Sequence, residues 1–186
     1  MINKNINNIL NHITSIKNGT NQKRGVCFLL GAGADISSGG ILFRELKLQF
    51  LKENGCILPN NVNNKILDEK FEEVVDVMTQ SGRCETLSAI MKRNSVPSEG
   101  YELLVLLAEL GYVDAIITTN FDYLLEETQK ILNLNPFTVF SPGSAIPTEY
   151  YDRCNKTKPI YLKMHGDLST SLVTHLTQEE IQHKQY

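Results

Sequence analysis

Short apolar runs alternate along the chain with longer segments of helical periodicity. The compact apolar runs, which are typical of buried strands, lie at residues 25–30, 113–118, 137–140, 160–164 and 171–176. Between them, apolar residues recur every three or four positions, as on one face of a helix. Strands that alternate with helices predict an α/β, Rossmann-like fold with a mostly parallel sheet and helices on both faces.

The helical periodicity predicts elements at defined places. Apolar residues share one face over residues 3–18, after Gly40, over about 60–95 and after Pro97. We expect the segment at about 60–95 to be a helical insertion between two strands. The helix after Pro97 should end near Gly111, because glycine readily adopts the left-handed conformation that follows a helix C-terminus.

Polar residues of chemical interest follow three of the predicted strands. GAGAD at 31–35 follows the first run, TTNFD at 118–122 ends the second, and KMHGD at 163–167 ends the run at 160–164. In an open parallel sheet, ligands bind beyond the carboxyl ends of the strands. We therefore expect these three motifs to converge on one crevice.

The first motif fits a phosphate-binding turn. Gly31 allows a tight exit from the strand, and Gly33 would let a pyrophosphate approach the backbone without a Cβ in the way. The third glycine of a GxGxxG pattern is missing, since Ile36 occupies its position. An ordinary glycine-rich strand-to-helix turn is the alternative, with Asp35 as the N-cap of a helix.

The other two motifs supply an amide, a carboxylate and an imidazole. Asn120 can donate and accept hydrogen bonds at once, which suits ribose hydroxyls or an attacking water, and Asp122 can accept one from a carboxamide. Either residue could instead cap the helix that begins at Tyr123. His165, followed by Gly166 at a strand end, can serve as a general base, and a structural role is its alternative.

Composition and charge narrow the class of protein. The chain has 186 residues, a net charge of −3 and scattered Lys and Arg, so we expect no direct binding of nucleic acid. No stretch suits a signal peptide or a membrane span, and the four cysteines form no CxxC pair. These features predict a reduced, cytoplasmic protein. We expect one domain over residues 1–186, with a truncated N-terminal part of a longer protein as the alternative.

The order of the motifs resembles that of the sirtuin (silent information regulator-like) family. GAGADISSGGILFREL is similar to the family's GAGxSxxxGIPxFR segment, TTNFDYLLE to its TQNIDxL segment, and KMHGD to its strand that ends in the catalytic HG. The resemblance extends over roughly residues 25–180. It implies a Rossmann-type site for NAD.

The resemblance also implies roles for individual residues. Asn120 would hold the nicotinamide ribose and position a nucleophile, Asp122 would bind the carboxamide, and His165 would act as the base. The other residues that it places around NAD are Gly31, Ala32, Gly33, Asp35, Ser38, Arg44, Thr118 and Thr119. For Arg44, a solvated position on a helix is the alternative.

Departures from the family's pattern indicate one branch of it. The chain lacks the paired CxxC motifs that hold zinc in the family's deacylases, and Asp35, Ile41 and Thr119 replace the usual Ser, Pro and Gln. These features resemble bacterial sirtuin-like domains that hydrolyse NAD in antiphage defence. The resemblance thus implies an NAD glycohydrolase without a metal, controlled by a protein partner or by homo-oligomerisation. An NAD-dependent protein deacylase and a non-catalytic module that senses NAD or ADP-ribose are the alternatives.

Overall fold

A four-stranded parallel sheet is the centre of the fold. The computed structural model describes residues 26–93, 95–141 and 158–168, together with Asn11, Ser15 and the backbone of 172–173. The strands lie in the order β1–β2–β4–β3. Their bounds are β1 Val26–Leu30, β2 Val113–Thr118, β3 Thr138–Phe140 and β4 Ile160–Lys163. The predicted α/β class and parallel sheet are confirmed.

The helices of the described residues lie between these strands. A 3₁₀ helix at Ala32–Ser38 follows β1. The α-helices are α1 Phe43–Glu53, α2 Asn64–Val77, α3 Gln80–Lys92, α4 Glu99–Glu109 and α5 Leu124–Leu132. The insertion predicted at about 60–95 is confirmed as α2 and α3. The helix predicted over residues 3–18 lies outside the described residues, apart from Asn11 and Ser15, which are helical.

Local sequence signals set several helix ends. The side chain of Asn63 accepts a hydrogen bond from the Ile66 amide at 2.9 Å and so caps the start of α2. Thr79 does the same for α3 through the Gly82 amide at 3.2 Å. Gly111 follows α4 with a φ of 77°, as its predicted place past the helix end requires.

The last predicted strand does not join the parallel sheet. Leu172–Val173 forms a two-residue strand, β6, within the predicted 171–176 segment. It pairs antiparallel with β5, which is Gly166–Asp167. The chain therefore leaves the sheet within the third motif, because β5 begins only three residues after the end of β4.

Two buried clusters define the packing. Helices α4 and α5 cover the face of the sheet that carries Ile116 and Tyr161. A second cluster is built from α1, α2 and α3, and it includes Phe121 and Leu168, which follow β2 and β5. The three-helix layer thus packs beside the carboxyl ends of the strands, where apolar burial fixes its position. In the part of the chain that the structure describes, no helix is long and apolar enough to cross a membrane.

Candidate functional site

The three motifs leave the sheet side by side. The last residues of β1 and β2, Leu30 and Thr118, are register partners, and Thr118 is also the partner of Lys163 at the end of β4. The backbone continues this alignment beyond the strands. The Thr119 amide donates to the Leu30 carbonyl at 3.2 Å, and the Met164 amide donates to the Thr118 carbonyl at 2.8 Å. The structure therefore brings GAGAD, TTNFD and KMHGD to one edge.

Asn120 is held with its amide nitrogen turned toward the protein. Its Nδ2 donates to the Gly31 carbonyl at 3.1 Å and to Oδ2 of Asp35 at 2.9 Å. Its backbone amide donates to Oγ1 of Thr118 at 3.0 Å. Because both hydrogens of Nδ2 have protein acceptors, the carbonyl oxygen Oδ1 is the atom left for a ligand. The sequence suggested that Asn120 both donates and accepts there, whereas the structure favours an acceptor.

Asp35 is a buried carboxylate at the centre of the cluster. Its Oδ1 accepts a hydrogen bond from the Tyr101 hydroxyl, and its Oδ2 accepts the bond from Asn120. The alternative that Asp35 caps a helix is wrong, because the N-cap of the 3₁₀ helix is Gly31. A Cβ on Gly40 would lie 2.3 Å from the Asp35 Cβ, so the second glycine of the Gly39–Gly40 pair makes room for Asp35.

The environment of Asp35 moves its titration toward neutral pH. Burial, followed by the charge of the nearby Asp122 carboxylate, raises the pKa of Asp35 from 3.8 to about 7. The hydrogen bonds from Tyr101 and Asn120 oppose this rise, because they stabilise the ionised carboxylate. Burial also raises the pKa of Tyr101, so its hydroxyl remains a donor at neutral pH. The cluster therefore contains a carboxyl group that changes its protonation near pH 7.

Asp35→Asn is expected to change how stability depends on pH. The pKa of Asp35 is higher in the folded than in the unfolded protein, so the protonated carboxyl group contributes to the stability of the fold. This contribution is fully present below pH 3.8. That contribution is lost as pH rises through about 7, and it amounts to at most on the order of 4 kcal/mol. The amide that replaces the carboxyl group would carry no charge at any pH, so the decline should become smaller. Denaturant unfolding between these pH values measures the difference, and an identical decline in both proteins would contradict the assignment.

Asp122 has a structural role whatever else it does. Its Oδ1 accepts a hydrogen bond from the amide of Leu124, the first residue of α5, at 2.7 Å, although the N-cap position of α5 is Tyr123 and not Asp122. The residue is 4% exposed, and a cavity of about 280 Å³ opens beside it. The other residues that line this cavity are Met91, Lys92, Ser95, Tyr123, Leu124 and Glu127.

Lys163 joins the ends of two motifs and helix α5. Its fully buried ammonium pairs with Glu126 and with Asp167, whose Oδ1 is 3.1 Å away, and it donates to the Asp122 carbonyl at 2.8 Å. Burial is the main cause that raises the pKa of Glu126, and the lysine opposes it. This role of Lys163 was not predicted from the sequence. The signal is that Lys163 lies two residues after Tyr161 in a short apolar strand, which places both on the covered face.

His165 lies between β4 and β5, at the same edge as Asn120 and Asp122. It is half-buried. Gly166 has a φ of 121°, a backbone conformation that favours glycine, so the turn after the histidine depends on this residue. The structure therefore places His165 in a defined turn between Lys163 and Asp167, whose side chains form a buried ion pair.

The glycine turn is open where a ligand would approach. A Cβ on Gly33 would meet no protein atom within 4 Å, and one on Gly31 would meet Oγ1 of Thr119 at an ordinary 3.8 Å. Ala32 is half-buried and Thr119 exposed, so both border the same turn. Thr118 is 1% exposed, and its hydroxyl oxygen accepts a hydrogen bond from the backbone amide of Asn120. Thr118 thus shapes the turn from within, whereas the others lie at its surface.

Ser38 and Arg44 make contacts within the protein. Oγ of Ser38 accepts a hydrogen bond from the Ser98 amide at the start of α4, at 3.1 Å. The exposed Arg44 donates to Oδ1 of Asn64 at 3.1 Å and to the Val62 carbonyl at 3.2 Å. The Ser38 bond joins the end of the 3₁₀ helix to the start of α4, and the Arg44 bonds join α1 to the start of α2. The implied contacts of both residues with phosphates stay predictions.

One comparison with known proteins bears on this site. Residues 114–185 match the family model of the SIR2-like domain. The match includes TTNFD and KMHGD, whereas GAGAD precedes it. SIR2-like domains use NAD, so the match supports an NAD-related function. No curated protein matches the chain. Among the described residues, no three His, Cys, Asp or Glu side chains form a group that could hold a metal ion.

Proposed function

We propose that the chain is an NAD glycohydrolase, which cleaves the bond between nicotinamide and ribose to give nicotinamide and ADP-ribose. The observation that carries the proposal is the fixed amide of Asn120. Its nitrogen is bound by Gly31 and Asp35, so its oxygen is offered as an acceptor where the three motifs meet. An acceptor in this position suits a ribose hydroxyl or a water molecule, both of which have hydrogens to donate.

The dinucleotide would lie along the edge of the sheet. The open backbone at Gly31, Ala32 and Gly33 suits the pyrophosphate, because no side chain there prevents close approach. The cavity beside Asp122, at about 280 Å³, lies at the lower end of the range for small-molecule pockets. That size suits nicotinamide rather than the whole dinucleotide. Oδ2 of Asp122 would accept a hydrogen bond from the carboxamide, while Oδ1 keeps its bond to the Leu124 amide.

The chemistry would resemble the hydrolysis of a glycoside. The bond between C1′ and the ring nitrogen breaks, its electron pair neutralises the pyridinium, and the ribose passes through an oxocarbenium-like state. Water then forms the new bond to C1′ and gives up a proton. Asn120 would orient that water or the adjacent ribose hydroxyl, and His165 would accept the proton and pass it to solvent. Nicotinamide leaves as a neutral molecule, so positioning of the reactants and electrostatic stabilisation would account for most of the rate enhancement.

The biological setting is proposed from the resemblance alone. We place the chain in the bacterial branch that hydrolyses NAD as an antiphage defence in the cytoplasm, where loss of NAD stops an infected cell. Such an enzyme must cleave NAD only slowly until it is needed. Control by a protein partner or by homo-oligomerisation is therefore part of the proposal. In the same proposal, residues 1–186 form one NAD-binding domain.

The nature of the products tests the reaction. The purified chain is incubated with NAD in water enriched in ¹⁸O, with and without an acetylated peptide. Hydrolysis predicts nicotinamide and ADP-ribose that carries the label at C1′, whether or not the peptide is present. Release that requires the peptide would indicate a deacylase, and tight binding of NAD without release would indicate a sensing module.

Gly33→Ala is expected to weaken NAD binding without loss of stability. The added methyl group would meet no protein atom within 4 Å, but it would occupy the space proposed for the pyrophosphate. We expect the Kd for NAD to rise about 10-fold or more, since 1.4 kcal/mol corresponds to a factor of ten. Calorimetric titration measures the affinity. Gly100→Ala in α4 is the matched control, and equal affinity in Gly33→Ala and the control would contradict the proposed path.

A further inference from the structure

Two protein oxygens face the nitrogen of the Asn120 amide. One is the Gly31 carbonyl oxygen at 3.1 Å, and the other is Oδ2 of Asp35 at 2.9 Å. If the amide were rotated by half a turn, its oxygen would face both of these acceptors, and neither could donate while Asp35 is ionised. The terminal torsion of asparagine is otherwise soft. These two partners therefore decide which atom of Asn120 a ligand meets.

Asp35 is the partner whose position depends on other side chains. Its Oδ1 is bound by the Tyr101 hydroxyl, which reaches it from α4, 66 residues away in the sequence. Tyr101 is 4% exposed, so its ring is anchored in the core next to Val105 and Ala108. With one carboxylate oxygen fixed by Tyr101, the other is directed at Asn120. A charged acceptor also forms the stronger hydrogen bond.

We infer that Asp35 and Tyr101 are positioning residues that keep the Asn120 nitrogen turned inward, so that its carbonyl oxygen meets the ribose or the attacking water. The inference rests on the proposed function, since it assigns a task within that reaction. It also changes the role that the sequence suggested for Asp35. The carboxylate acts on the ligand through Asn120 and not by direct contact.

The groups that face Asp35 come from two neighbouring elements. Tyr101 faces it from α4, and Asn120 and Asp122 face it from the segment between β2 and α5. Asp122 is the charged member, and its negative charge favours the protonated form of Asp35. The hydrogen bond from Tyr101 favours the ionised form. Removing the tyrosine hydroxyl should therefore move the titration of Asp35 to higher pH.

A graded set of variants tests the inference by kinetics. Asp35→Ala removes the acceptor, so we expect kcat for NAD cleavage to fall about 100-fold with little change in KM, as for a misplaced reacting group. Asp35→Asn retains one acceptor oxygen, and it should restore kcat to within about 5-fold of wild type. Tyr101→Phe should lie between the two. The matched control is Tyr112→Phe, because Tyr112 lies before the start of β2, at the opposite edge of the sheet.

A second measurement does not depend on turnover. In ¹⁵N-labelled protein, the side-chain amide signals of Asn120 are identified by their loss in Asn120→Ala. They should shift with pH around the ionisation of Asp35, near 7. The midpoint should rise in Tyr101→Phe, and the pH-dependent shift should disappear in Asp35→Asn. A purely structural role for Asp35 would not link the Asn120 amide to this titration.

The outcomes separate the inference from the proposed function. Loss of kcat in Asp35→Ala, rescue in Asp35→Asn and a coupled amide titration support the inference. A rise in KM at constant kcat in both Asp35 variants would instead mean direct contact with NAD, and it would overturn the inference. The inference would also be overturned if the side-chain amide signals of Asn120 did not shift with pH and were the same in the Asp35 variants, whether or not NAD is cleaved. Coupled signals in a protein that cleaves no NAD would support the contact and reject the function.

Discussion

His165→Ala is expected to lower kcat for nicotinamide release by about 10²- to 10⁴-fold, the usual contribution of a general base. The fold should tolerate the change, because His165 is half-buried in the turn between β4 and β5 and lies outside the two core clusters. We expect the free energy of unfolding to change by less than about 1 kcal/mol. Steady-state kinetics measure kcat, and equilibrium unfolding in denaturant measures the free energy of unfolding.

The control for this variant is a histidine remote in sequence from the three motifs. His183→Ala removes an imidazole near the end of the chain and should leave kcat unchanged. If His165→Ala keeps more than about a tenth of wild-type kcat, His165 is not the base. Asp122 would then be the remaining candidate for the base in the described part of TTNFD and KMHGD, because the amide of Asn120 does not take up a proton near neutral pH.

Lys163→Met is expected to destabilise the protein by about 3–5 kcal/mol, as is typical when one partner of a buried ion pair is removed. The ammonium is fully buried, and its loss leaves Glu126 and Asp167 without their cation and the Asp122 carbonyl without its donor. Methionine preserves much of the side-chain volume, so the effect is mainly electrostatic. Equilibrium unfolding in denaturant measures the change.

Lys130→Met is the matched control for the buried lysine. Lys130 lies on α5, the helix that also carries Glu126, and pairs with Glu127 at 2.7 Å, but its side chain is 71% exposed. A solvent-exposed pair of this kind contributes little to stability. An equally small change in the free energy of unfolding for Lys163→Met would show that the contacts of Lys163 with Glu126, Asp167 and the Asp122 carbonyl do not hold the strand ends together.

Much of the fold could be predicted because its signals are local. The apolar runs at β1, β2 and β4 are short and bounded by glycine or polar residues, which distinguishes them from the periodic helices. The place of the site followed from topology alone, because parallel strands end at a common edge. Topology did not indicate that the strand predicted at 171–176 would be reduced to β6 and pair with β5 outside the parallel sheet, since β5 and β6 are only two residues long each.

The contacts inside the site could not be predicted, because they join residues that are distant in sequence. Asp35 looked like a helix cap or a ligand contact, and nothing local indicates that Tyr101 binds it. The orientation of Asn120 depends on Gly31 and Asp35, which are more than 80 residues away. The same holds for Ser38, whose hydroxyl is bound by α4.

The release of nicotinamide from NAD by the purified chain tests the central claim most directly. Wild type, His165→Ala and Asn120→Ala are incubated with NAD, and nicotinamide and ADP-ribose are quantified by chromatography. The account predicts equimolar products from wild type and almost none from either variant, with all three proteins folded. Absence of release from a folded wild-type protein that binds NAD, or equal release from all three proteins, would contradict it.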